Sequence, residues 1–75
     1  MRFAGVQVNS SLLDSVAYDI DSSLLELVFC DGAIYQYAAV PEAIYQELVA
    51  ADSKGSYFNR QIRSRFLHVR IQAPQ

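Results

Sequence analysis

The residue types able to do chemistry in this chain gather in two places. Tyr35 and Tyr37 stand two positions apart, the spacing that puts both rings on one face of a strand, where exposed aromatics stack on nucleic-acid bases. Further on, Ser53, Lys54, Gly55, Ser56, Tyr57, Phe58 and Asn59 form the densest run of special residue types, followed by Arg60, Arg63 and Arg65. Free amides at a helix start in that run, with positive charge alongside, suit a phosphate or carboxylate. In a nucleic-acid site Arg60, Arg63 and Arg65 would contact phosphates, Lys54 and Asn59 would fix the backbone, and Tyr35 or Tyr37 would stack wherever exposed. Plainer readings compete with each. A tyrosine commonly packs its ring and wets only its hydroxyl, so both rings are expected beneath the helix at 41–51. Serine and glycine are also what a corner between two helices requires in any case.

Other chemistries find little support. Cys30 and His68 are the only residues of their kinds, so the usual four-ligand zinc site cannot be assembled within one chain, and no metal or other cofactor is expected. A Cys30–His68 nucleophile pair would need the tail beside the hairpin and has no recognisable orienting group or oxyanion hole. Asp19, Asp21 and Glu26 lack the glycine and spacing of a calcium loop and read as turn and surface groups. No phosphate-binding or dinucleotide-binding signature occurs. The expectation is a chain that is not an enzyme.

Charge divides the chain. Residues 1–52 hold all eight acids against Arg2 alone, a net of −7, whereas residues 53–75 carry Lys54, Arg60, Arg63, Arg65 and Arg70 with no acid, a net of +5. Clustered arginines attract phosphate over roughly a Debye length. The same charges could instead neutralise one another if the basic tail packs beside the acidic segment.

The elements that must position these groups follow from length and pattern. At 75 residues, 52% hydrophobic and 19% charged, the chain is expected to form one domain over 1–75 with its core at about 6–71. A domain this small buries only about 60–65% of its unfolded surface, which works against a deep catalytic cleft. Nothing approaches the roughly 18–20 apolar residues of a membrane span, so no membrane partner is expected. A lone cysteine and the lack of a basic-then-apolar leader make the cytoplasm the default location.

Val16, Tyr18 and Ile20 alternate with polar or small residues as in a half-buried strand. Asp21–Ser23 read as a turn, Leu24–Phe29 as a second strand, and Ala33–Ala38 as a third. Two hairpin registers compete. A two-residue loop pairs Val28 with Tyr35, while a three-residue loop ending in Gly32 as a bulge pairs Leu27 with Tyr35 and Leu25 with Tyr37. The second is preferred because it collects Leu25, Leu27, Phe29, Tyr35 and Tyr37 on one face and leaves Glu26 and Gln36 on the other.

Pro41 then marks the first position of a helix whose stripe is Val40, Ile44, Leu48 and Ala51, with Tyr45 beside it. Gly55 permits a left-handed stop, and Ser56 caps a second helix burying Phe58, Ile62 and Phe66, with Arg60 and Arg63 sharing its outer face. Leu67, Val69 and Ile71 alternate with His68 and Arg70, the pattern of a final edge strand. Residues 1–9 show only a weak extended pattern and are left unassigned. The fold class is α+β: a three-stranded antiparallel meander followed by two helices, with that extra carboxyl-terminal edge strand.

The succession Val8, Ser10, Ser11, Tyr18, Asp19, Leu25, Glu26, Phe29, Gly32, Tyr35 and Tyr37, continuing through Val40, Pro41, Tyr45, Leu48, Ala51, Ser53, Gly55, Tyr57, Phe58, Asn59 and Ile62, resembles the KTSC domain. The likeness covers about residues 6 to 71. Ala17 stands where a glycine is expected before the tyrosine, a change a strand accommodates. The resemblance implies a free-standing bacterial relative of the domain at the carboxyl end of some lysyl-tRNA synthetases, with a suggested RNA-binding role and no catalytic residues to carry over. The leading expectation is therefore a small binding module for RNA or tRNA. The alternative is a protein–protein or homo-oligomerising adaptor that uses an aromatic face.

Overall fold

The computed structural model describes residues 4–75; Arg2 lies outside them. Five strands, β1 (Ala4–Gln7), β2 (Leu13–Asp19), β3 (Leu24–Phe29), β4 (Ile34–Tyr37) and β5 (His68–Gln72), form one sheet in sequence order, every neighbour antiparallel. Helices α1 (Glu42–Ala50) and α2 (Lys54–Gln61) lie in the connection between β4 and β5, so the α+β reading with a carboxyl-terminal edge strand holds. The unassigned segment supplies β1, which pairs Val6 with Val16. Among the described residues, no helix is long and apolar enough to cross a membrane.

The hairpin adopts the three-residue loop. Phe29 N–H donates to the Ala33 carbonyl at 2.8 Å and Gly32 N–H to the Phe29 carbonyl at 2.9 Å, while Gly32 takes φ of 94°, a value that side-chain-bearing residues rarely adopt. The register that follows pairs Leu27 with Tyr35 and Leu25 with Tyr37. Leu25 and Leu27 are wholly buried. On the opposite face the Gln36 amide donates to Glu26 Oε1 at 2.9 Å, pairing two polar groups across the strands.

Both helices cover one face of the sheet. Tyr45 of α1 stacks on Tyr18 at 5.1 Å, while Phe58 of α2 meets Phe29 edge-on at 5.4 Å and Tyr37 at 5.8 Å. It is therefore α2, not the helix at 41–51, that roofs Tyr37, because β4 lies beneath the second helix. The expected stripe on α1 is present: Val40 and Leu48 are wholly buried, with Ile44, Tyr45 and Ala51 packed against the core.

Boundaries differ from expectation in four places. The strand expected over Val16–Ile20 is β2, which begins at Leu13 and ends at Asp19, leaving Ile20 63% exposed in the turn. Asp19 is buried rather than a surface acid; its Oδ2 accepts from Ser22 Oγ at 2.6 Å and its Oδ1 from Asp21 N–H at 3.3 Å. Pro41 is the N-cap of α1 rather than its first helical residue, so the helix starts one residue later than predicted. At α2 the cap is Ser53, whose Oγ accepts from Ser56 N–H at 3.3 Å, so Ser56 is inside the helix. Gly55 lies in the first turn instead of stopping α1. Its role is spacing, since a Cβ there would sit 3.3 Å from Leu12 Cβ.

Candidate functional site

A cleft of about 640 Å³ opens where the carboxyl end of α2, the β3–β4 turn and strands β4 and β5 meet. Strand pairing builds one wall. Because β5 returns beside β4, Tyr37 faces His68 and Tyr35 faces Arg70, and side chains opposite one another share a face. The Tyr35 and Tyr37 ring centroids lie 5.4 and 5.2 Å from that of His68. Tyr37 and Phe58, only 3% and 4% exposed, form the floor. Tyr35 is half-buried and His68 is exposed, so their rings remain reachable.

The polar rim comes from the end of α2. Ile62 is wholly buried, and the N–H groups of both Ile62 and Arg63 converge on the Phe58 carbonyl at 3.0 Å. Anchored there, the chain leaves the helix, and Arg63 and Ser64 turn into the cleft beside Asn59. Arg63 Nη1 donates to Asn59 Oδ1 at 3.4 Å. Across the cleft, Asp31 Oδ1 accepts from Ala33 N–H at 3.0 Å, which fixes its carboxylate at the hairpin turn. Pro74 adds to the rim, held by Gln75 N–H donating to the Asp31 carbonyl at 2.8 Å.

Four of the seven expected site residues, Tyr35, Tyr37, Asn59 and Arg63, thus line one concavity. Tyr37 is floor and not a free stacking platform. Burial, then the neighbouring Tyr35, push its hydroxyl pKa above the ordinary value, against the opposing pull of Arg63. The other three lie elsewhere. Lys54, at the opposite end of α2, donates from Nζ to the Ala51 carbonyl at 2.8 Å. Arg60 is exposed on α2 and does not share a helix face with Arg63, because the helix ends at Gln61. Arg65 donates to Gln61 Oε1 at 2.5 Å, with its guanidinium 5.9 Å from the Phe66 ring centroid. The groups bonded by Lys54, Arg63 and Arg65 are all neutral, so these three contacts cancel none of the three charges. At the start of α2, where an anion site was expected, the Ser53 cap takes the Ser56 N–H and Lys54 Nζ turns back on the Ala51 carbonyl.

His68, Phe29, Phe58, Asp31 and Ser64 were missing from the expected site. The alternation of His68 with Val69 carries a signal for one of them, since pairing the last strand with β4 sets it over Tyr37. Cys30 is exposed, with its Sγ donating to the Ser10 carbonyl at 3.6 Å. Among the described residues, no group of three or more histidine, cysteine, aspartate and glutamate side chains is placed to hold a metal ion.

The KTSC domain family model matches residues 9–66. An uncharacterised protein of Stutzerimonas stutzeri is 46% identical over 55 residues, 73% of this chain and 78% of its own. A lysine–tRNA ligase of a Nostoc species is 32% identical over 71 residues, 95% of this chain but only 13% of the ligase. The crystal structure of a KTSC domain protein from Yersinia pestis superposes with a TM-score of 0.88 at 38% identity, covering 95% of this chain and all of that one.

Proposed function

We propose, since the chain belongs to the KTSC domain family, that it is a small non-catalytic RNA-binding module of the cytoplasm, with tRNA among its ligands. The observation that carries this reading is the placement of Arg63: a guanidinium at the rim of an aromatic cleft, bonded to a neutral amide, in a segment without acids. Such a group is free to take a phosphate. The similarity to a segment of a lysine–tRNA ligase, an enzyme that handles tRNA, supports the same ligand class.

The test is a titration of labelled bulk tRNA and of a short unstructured RNA at two salt concentrations, followed by anisotropy and protein amide shifts. Binding should weaken with salt and map to the Asn59–Arg65 region. The double substitution Arg60→Ala with Arg63→Ala should flatten the logarithmic salt slope by about 0.7–0.9 for each phosphate that is no longer neutralised, with the fold intact. No binding at low salt overturns the reading.

A second reading rests on a different surface. Leu67 just before the edge strand β5, and Val69 and Ile71 within it, are 85%, 64% and 53% exposed, and an exposed apolar edge strand is a template for pairing with another protein. The aromatic face first expected to serve an adaptor is largely beneath α2. Concentration-dependent mass in sedimentation, together with failure to bind RNA, would favour this reading.

A further inference from the structure

We infer that the cleft receives a single splayed-out base of single-stranded RNA, with the ring against Tyr35 and His68 and the neighbouring phosphate on Arg63. The inference rests on the RNA-binding reading above and specifies which form of RNA is bound and how.

The reachable aromatic surfaces are recessed. Tyr35 and His68 flank a floor made by Tyr37 and Phe58, and about 640 Å³ of open volume stands above it, well within the range of small-ligand sites. A base paired and stacked inside a duplex cannot reach such a floor, whereas an unpaired base swung out of the strand can. Exposed basic groups alone would bind duplex and single strand through phosphates without needing a cleft.

Charge sets the orientation of the nucleotide. Asp31 at the hairpin turn would repel a phosphate, and Arg63 at the α2 end would attract one. The phosphate therefore belongs at the Arg63 end. That leaves the base edge toward Asp31, which lines the cleft with its Oδ1 engaged by Ala33 N–H and would accept from a base N–H through its second oxygen. Asn59 contributes its amide N–H donors, because its Oδ1 is already taken by Arg63.

The experiment compares one short unstructured RNA strand with the same strand annealed to its complement, by anisotropy at fixed salt. Wild type, His68→Ala and Arg60→Ala/Arg63→Ala are used, each checked by thermal melting. His68 is exposed on an edge strand and touches the core only through its ring against Tyr37, so the melting check shows whether its removal disturbs the fold. The single strand should bind on the order of tenfold or more tighter than the duplex, and His68→Ala should lower single-strand affinity by about five- to 150-fold with little effect on duplex. Equal binding of strand and duplex, or unchanged single-strand affinity in His68→Ala, overturns base insertion while the RNA-binding reading stands. Failure of wild type to bind either form overturns both.

Discussion

Tyr57 shows how one side chain can tie the two helices together and set an alkaline limit on stability. It is 8% exposed, and its hydroxyl donates to Glu47 Oε1 of α1 at 2.7 Å. Burial, and then the hydrogen bond and charge of Glu47, push its pKa up to about 12. The fold therefore favours the neutral phenol. That contribution is fully present below the ordinary tyrosine value near 10 and is lost as the pH rises through about 12. Urea unfolding across this range should show stability falling for wild type and a shallower fall for Tyr57→Phe, which cannot ionise. At neutral pH the same substitution should cost about 0.5–1.5 kcal/mol for the missing hydrogen bond. Parallel alkaline profiles for the two proteins would refute the assignment.

At the scale of elements, the approach of α2 to the loop before β2 is governed by Gly55. Alanine is favoured over glycine inside a helix by about 1 kcal/mol, but here a Cβ would press on Leu12 Cβ at 3.3 Å and on its Cδ2 at 3.5 Å. These two effects oppose each other. Gly55→Ala should therefore gain less than its helix propensity in wild type and recover it when combined with Leu12→Gly, which removes the contacting Cβ, giving a coupling detectable in a double-mutant cycle of melting data. Strict additivity would mean that packing does not require the glycine. The β3–β4 hairpin is a contrasting case. There the constraint is the backbone itself, since Gly32 at φ of 94° closes the loop and sets the register that brings Tyr35 and Tyr37 opposite Leu27 and Leu25.

For the whole molecule, stability rests on one small core. Leu27 on the central strand β3 is wholly buried, and truncating such a side chain costs about 2–5 kcal/mol, a large part of the roughly 5–15 kcal/mol that holds a domain together. Leu27→Ala should lower the urea midpoint steeply, and a shift within error would deny the core this central role. Much of this architecture was already legible in the order of residues. Alternation, the Asp31–Gly32 turn and Pro41 announced the meander, its register and the start of α1, because each acts through neighbours a few residues away and through one rule, apolar groups to one face. The same locality explains the misplaced cap: Ser53 and Ser56 are equally good caps by type, and in the fold it is Ser53 that accepts from Ser56 N–H, with Gly55 in the first turn against Leu12. The acid-free tail was likewise plain from composition alone. The cleft was decided by tertiary structure. His68 meets Tyr35 and Tyr37 only because β5 returns across two helices to pair with β4, and Arg63 parts from Arg60 and turns toward the rings only because buried Ile62 ends α2 where it does. Contacts between groups so distant in the chain depend on how the helices seat on the sheet, and no local pattern encodes that.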